Sequence, residues 1–410
     1  MLRLLFNSDR IMGTSAYSKV TYELCTRSVK LGYKVAHIPM ANANRMGKQF
    51  YQGVLVYPSG RDAWNEDVIV DTYVDWKADM LITLKDPWVF RATHKWSLTW
   101  APYAIIDHSP VSPLITSKLH TAFRILVPSR FCMRELVQAG FSPNIIKYVP
   151  HGVRTDLYKP LDKKLCKKLF YLNPDHFVVG IVAMNRARKQ IPRMLRAYKR
   201  FLELNPDVKS TLMLWTNVYP TKQPEHPTTG VADVGVHLLP EIGRLNLGDY
   251  VHWPDWKDVE KLGGLPEYDP QTGWDMPHLY NSMDVLLMTT GGEAFCLPLI
   301  EAQATGCPVV TTDYAGGVEQ VGAGLTVKVA DWDVINTPGT RYALADIDET
   351  AEALTKIMNA DSEKLARKAR RFAERYDWNR IISRFWIPFL EECETELKPL
   401  VTSEGVKSWA

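Results

Sequence analysis

Two doubly wound, Rossmann-like α/β domains are the architecture the sequence predicts. Short apolar runs of four to eight residues recur along the chain. They are β-branched or leucine-rich and mostly lack polar alternation, as strands buried on both faces of a parallel sheet do. Amphipathic stretches of helical period separate them, and such alternation is the mark of a doubly wound sheet. The 410 residues exceed what one hydrophobic core usually serves, so the pattern is expected to close twice.

The first-half strand runs are LRLLF (2–6), KVAHIPM (34–40), VLVYPS (54–59), DMLITLKD (79–86), YAIIDHS (103–109), FRILVPS (123–129) and IIKYVPHGV (145–153). In the second half they are FVVGIVA (177–183), TLMLWTN (211–217), YVHWPD (250–255), DVLLMTT (284–290), PVVTTD (308–313) and LTVKVA (325–330). The stretch from Ser15 has helical spacing and stops at Gly32, a residue suited to a helix C-terminus. Ile191, Met194, Leu195, Tyr198, Phe201 and Leu202 follow the i, i+3, i+4, i+7 spacing of one helix face. The polar span between Val153 and His176, with Pro160 and Pro174, is the expected domain junction. Two turn-rich stretches, 219–235 and 261–277, read as lids or insertions.

Hydrophobic content of 46% and charge of 23% are ordinary for a globular protein. A net charge of +3 gives no case for a nucleic-acid partner. The six cysteines show neither a CxxC nor a Cys/His spacing, which argues against a zinc site and a disulfide framework. No apolar run approaches transmembrane length, and the chain opens on a strand pattern rather than a signal peptide. A reduced, cytoplasmic setting is the expectation.

Ligands of doubly wound sheets bind beyond the carboxyl ends of the strands, so the residues following each strand carry the functional reading. After the first strand, Gly13 and Thr14 open a helix whose amides would attract phosphate, although tight strand-to-helix turns use glycine anyway. Asp107-His108 stands at the end of the fifth first-half run; the histidine is either a substrate ligand or a satisfied structural side chain. Arg186, Arg188 and Lys189 precede a helix start at Pro192, where cations oppose the helix dipole, so a bound anion is expected to offset them. Finally, GGEAFCLPLIE (291–301) leaves a strand and enters a helix whose first turn holds Pro298. Phe295, Cys296 and Leu297 then sit at the helix N-terminus with unpaired amides, flanked by Glu293 and Glu301. Amides suit phosphate or sugar oxygens, and carboxylates suit hydroxyls. A capped helix with two solvated glutamates would leave the paired glycines unexplained.

The Glu-x7-Glu spacing from Glu293 to Glu301, continued as EAQATGCPVVTTDYAGGVEQV, resembles the retaining glycosyltransferases of the GT-B fold, family 4 type (glycosyl transferases group 1). VPSRFCMRELVQAG, LGYKVAHIP and RKQIPRMLRAY extend the resemblance along most of the chain. It implies two Rossmann-like domains facing across a cleft: 1–165 on the acceptor side, 166–374 on the donor side, and 375–410 as helices crossing back to the first domain. It implies a nucleotide-diphosphate sugar as donor substrate, an unidentified hydroxyl acceptor, and no metal or other cofactor. Glu301 would bind the ribose hydroxyls and Glu293 the donor sugar. The amides of Phe295, Cys296 and Leu297 would hold sugar or phosphate oxygens. Lys189, with Arg188 or Arg186, would neutralise the leaving diphosphate, Gly13 would close on it, and His108 would stand beside the donor sugar. One departure is Met184, where the family commonly has an arginine five residues before the lysine.

Two other readings stay open, a non-catalytic subunit of another glycosyltransferase and a sugar phosphorylase on the same fold. Peripheral membrane contact is a further expectation, from basic and aromatic residues in RATHKWSLTW (91–100) and from basic SKLHTAFR (117–124).

Overall fold

The computed structural model describes residues 1–41, 44, 46–220, 233–253, 269, 274–335 and 340–402. Most of the turn-rich stretches expected as lids or insertions lies outside them. The chain divides into two compact units: Met1–Ile105 with Pro113–His151 and Trp378–Ala410, and Ile106–Ser112 with Gly152–Asp377. The boundary expected at residue 165 is thus corrected to His151–Gly152, and the final segment starts at Trp378 rather than 375. The physical reason is packing. Tyr158 is fully buried against Tyr280, and Lys163 Nζ pairs with Asp284 at 2.9 Å, so the span after His151 belongs to the second core.

The first unit is built on β1 (Arg3–Ser8), β2 (Lys34–Pro39), β3 (Gln49–Tyr51), β4 (Val54–Val56), β5 (Met80–Leu84), β6 (Trp100–Tyr103), β7 (Ile125–Val127) and β8 (Ile146–Tyr148). Their order is β3-β4-β2-β1-β5-β6-β7-β8, and only the β3–β4 pair is antiparallel. The edge strand β3 has no apolar run behind it. β6 lies earlier than the run at 103–109, because Trp100 anchors it: the indole donates to Thr83 Oγ1 at 3.0 Å and packs edge-on against Phe90 and Trp96. The same packing removes the tryptophans of 91–100 from the surface on which membrane contact was expected. Trp96 and Trp100 are buried, and Arg91 pairs with Asp62. The helix Ala16–Lys30 starts at Ser15, whose Oγ accepts from Ser18 N–H at 3.1 Å, and ends before Gly32 at φ +93°. In the C-terminal segment, a π turn at Ile382–Trp386 precedes Pro388, which cannot donate a helical hydrogen bond. There the buried Trp386 donates to Ser28 Oγ at 2.9 Å.

The second unit holds β9 (Phe177–Val182), β10 (Ser210–Trp215), β11 (Val251–His252), β12 (Val285–Met288), β13 (Val309–Thr312) and β14 (Gly324–Val327), all parallel, in the order β11-β10-β9-β12-β13-β14. Alternate β9 residues enter opposite cores, Val178 and Val182 on one face, Val179 and Ile181 on the other. That double burial explains the unalternating runs. A hairpin of β15 (Val329–Ile335) and β16 (Thr340–Ala345) follows, which the run at 325–330 did not announce. Among the described residues, no helix is long and apolar enough to cross a membrane.

Candidate functional site

Two connections of the second unit meet at one cluster. β9 leads through a 3-10 turn at Ala187–Lys189 and left-handed Gln190 into the helix Ile191–Leu204. β12 leads through residues 289–296 into the helix Leu297–Ala304. Gly291 joins the two: its N–H donates to Arg188 O at 2.8 Å, and its carbonyl accepts from Ala343 N–H of β16 at 2.8 Å. The paired glycines are required by close approach. A Cβ on Gly291 would lie 2.7 Å from the Tyr342 ring, and one on Gly292 would lie 2.1 Å from Asp107 O.

Glu293 follows and is buried, with 7% of its surface exposed. Lys189 Nζ bonds its Oε1, and Arg188 Nη1 lies 3.4 Å from its Oε2. Arg188 also donates to Gly292 O at 3.2 Å and lies 3.8 Å from Asp107 Oδ2 and 3.6 Å from Asp233 Oδ2. Burial alone would push the Glu293 carboxyl up; Lys189 and Arg188 outweigh it and hold the group below the ordinary carboxylate range. Asp107 follows the same logic: burial raises it, but its hydrogen bond to His108 and the Arg188 charge bring it lower. From the sequence, a bound anion was expected to offset these cations. In the structure three carboxylates surround Arg188 and Lys189.

His108 lies on the segment Ile106–Ser112 of the second unit. Ser112 N–H donates to its Nε2 at 3.1 Å, so Nε2 is an acceptor and Nδ1 carries the proton, directed at Asp107 Oδ1 2.8 Å away. Both ring nitrogens are engaged, leaving neither open to a substrate hydroxyl in this conformation.

Glu301, 4% exposed, accepts from Tyr280 Oη at 2.8 Å and from Tyr158 Oη at 3.2 Å. Burial, and then the Glu301 charge, raise the Tyr280 hydroxyl well above its usual range, so it remains a donor. Of the three helix amides expected to be unpaired, that of Cys296 is corrected: it donates to Gln320 Oε1 at 2.9 Å. Its thiol is pushed up to about 12 by burial. Leu297 is the first helical residue, and Phe295 packs edge-on against Tyr376. Arg186 caps the 3-10 turn, its carbonyl accepting from Lys189 N–H at 3.0 Å, and Met184 is exposed. Gly13 belongs to the first unit, where its N–H donates to Arg10 O at 2.8 Å.

The sequence reading missed Asp107 as a partner of Arg188, and also Asp233, Tyr158, Tyr280 and Gln320. Only Asp107 had a signal, its place beside a histidine at a strand's carboxyl end.

Residues 270–375, which include the Glu293–Glu301 loop and helix, match the family described as Glycosyl transferases group 1. The whole-chain fold is that of the GT-B glycosyltransferases. The crystal structure of HepE from Anabaena, solved with UDP and glucose, superposes with a TM-score of 0.67 at 17% identity, covering 96% of this chain and 100% of that one. A glycosyltransferase from Rickettsia africae gives 0.66 at 15% identity, covering 96% and 98%. In sequence, a D-inositol 3-phosphate glycosyltransferase of Saccharomonospora viridis is 24% identical over 242 residues, covering 58% of this chain. The match spans about half of that relative's length, 48%.

Proposed function

We propose that this chain transfers a sugar from a nucleotide-diphosphate sugar to a hydroxyl acceptor, with retention of anomeric configuration and without a metal. The observation that carries the proposal is the Lys189–Glu293–Arg188 cluster at the carboxyl ends of β9 and β12, where open α/β sheets take their ligands. Lys189 and Arg188 stabilise the charge that develops on the leaving diphosphate. Glu293 keeps both cations in place and accepts from donor-sugar hydroxyls. Glu301, fixed by two tyrosines, takes the ribose diol. The acceptor oxygen forms its bond to the anomeric carbon on the face that the diphosphate leaves, and its proton passes to the departing phosphate oxygen. HepE, crystallised with UDP and glucose, supports a nucleotide donor. A cytoplasmic setting goes with this reading.

A second reading is donor binding without turnover. Exposed Met184 and the two engaged nitrogens of His108 favour it. The deciding experiment measures nucleoside-diphosphate release from uridine, guanosine and adenosine diphosphate sugars. Release from one donor, lost in Glu293→Ala, supports the transferase. Thermal stabilisation by a donor without release, across a broad acceptor panel, supports the binding protein. Neither release nor stabilisation overturns both.

A further inference from the structure

β14 ends at Val327 and the next helix begins at Ile347. A strand-to-helix connection needs only about two to six residues. This one contains the β15–β16 hairpin, and the hairpin is docked on the loop that carries Glu293. Ala343 N–H donates to Gly291 O at 2.8 Å, and a Cβ on Gly291 would lie 2.7 Å from the Tyr342 ring. Trp332 stands opposite Ala343 and Val334 opposite Arg341, so these four side chains share one face. Asp333 and Tyr342 share the other, where Tyr342 Oη donates to Asp333 Oδ2 at 3.3 Å.

Trp332 packs edge-on against Tyr314, with ring centroids 4.9 Å apart and an interplanar angle of 85°. The guanidinium carbon of Arg341 lies 5.5 Å from the indole centroid. Both contacts are favourable geometries for an aromatic ring and fix where the rings stand.

Tyr314 in turn reaches two segments of the site. Its Oη accepts from Ser109 N–H at 2.8 Å, and a Cβ on Gly292 would lie 3.3 Å from its Cε1. Ser109 is two residues beyond Asp107, whose Oδ2 lies 3.8 Å from Arg188 Nη1. Just beyond Tyr314, Gly316 N–H donates to Glu293 O at 2.7 Å. Three carboxylates share Arg188, so the direction of its guanidinium depends on where each of them is fixed. Small displacements at such a site are costly: about 1 Å can remove a factor of 10² in rate. Packing alone would be served by phenylalanine at position 314. The bond from Ser109 N–H is what a purely apolar role does not use.

The geometry points to Tyr314 as a positioning residue for the Arg188–Glu293 pair: its hydroxyl anchors the Asp107–Ser109 segment, and the β15–β16 hairpin holds its ring in place through Trp332. The effect on turnover rests on the transfer reaction proposed above; the anchoring of Asp107 does not.

Three variants of the full chain test this, each checked for folding by a thermal melt. Tyr314→Phe keeps the ring and removes the acceptor, Trp332→Ala removes the brace, and Trp332→Phe keeps an aromatic side chain there. The first readout needs no substrate: the nitrogen-15 shifts of the His108 imidazole, which stands between Asp107 and Ser109. They should move in Tyr314→Phe and in Trp332→Ala, and stay near the parental values in Trp332→Phe. The second is nucleoside-diphosphate release. Tyr314→Phe should lower kcat about tenfold and Trp332→Ala about two- to tenfold, with the KM for the donor unchanged. Trp332→Phe should retain most of the parental kcat. Parental His108 shifts in folded Tyr314→Phe overturn the anchoring. Moved shifts with a parental kcat overturn the positioning role, and so does a loss expressed in KM alone. A parent that releases no nucleoside diphosphate overturns the transfer reaction instead, and the His108 shifts then decide the anchoring by themselves.

Discussion

Arg188 Nη1 lies 3.4 Å from Glu293 Oε2, and the same nitrogen donates to the carbonyl of Gly292 one residue earlier, at 3.2 Å. One guanidinium thus fixes both the carboxylate and the backbone that presents it. Lys189 takes the other carboxylate oxygen. With both oxygens held, Glu293 is oriented before any ligand arrives, and such preorganisation is what electrostatic catalysis requires.

Stability should depend on pH through Glu293. Its folded pKa lies below the ordinary carboxylate value, so at acid pH the unfolded chain takes up the proton first. The contribution is fully present above the unfolded pKa and is lost as pH falls through the folded one. Melting temperature measured from pH 6 down to pH 3 should fall less steeply in Glu293→Gln than in the parent. Parallel curves would contradict the pairing.

His108 should be neutral in the Nδ1–H tautomer. Its Nε2 accepts from an amide that has no other choice but to donate, which fixes the proton on the Asp107 side. Nitrogen-15 shifts of the labelled imidazole at pH 8 should report a protonated Nδ1 and a bare Nε2. Asp107→Asn should redistribute the tautomers. An Nε2–H tautomer in the parent would refute the assignment.

Tyr280→Phe removes a hydrogen bond to a buried carboxylate, so urea denaturation should show a loss of about 1.5–3 kcal/mol. Tyr158→Phe, at the longer distance, should cost less. Both should raise the KM for the donor more than they lower kcat, since Glu301 is read as a nucleotide ligand. An unchanged KM would detach Glu301 from the nucleotide.

Gly292→Ala places a methyl carbon 2.1 Å from the Asp107 carbonyl oxygen, which as backbone cannot swing away. A loss of about 1–3 kcal/mol is expected from this overpacking. Turnover should fall as well, because the displaced loop carries Glu293. An alanine variant with parental stability and activity would show that this approach is not needed.

The fold was legible in the sequence because double burial writes itself plainly: β9 and β12 are runs without a polar residue. β3 and the β15–β16 hairpin were not legible. The residues of β3 are mostly exposed, and β15 follows β14 too closely for one run to reveal two strands. At the site, the Glu293–Glu301 spacing, the glycines and Lys189 could be read, since they lie in the connections that follow β9 and β12, where open α/β sheets take their ligands. The tyrosines on Glu301 could not. Tyr158 and Tyr280 come from distant segments that only tertiary packing brings to that carboxylate, and neither stretch has a pattern of its own. Gln320 took the Cys296 amide for the same reason. Helix-start rules identify amides without an intrahelical partner, but not the side chain that supplies one from elsewhere.

In the proposed function, Lys189 and Arg188 stabilise the departing diphosphate while Glu293 holds them. The most direct test is the rate of nucleoside-diphosphate release from the preferred donor by Lys189→Ala, beside the parent, with thermal melts showing both folded. A fall of about 10²–10³ in kcat is expected, the usual cost of removing one donor to developing charge. Release at the parental rate from a folded Lys189→Ala variant would contradict it.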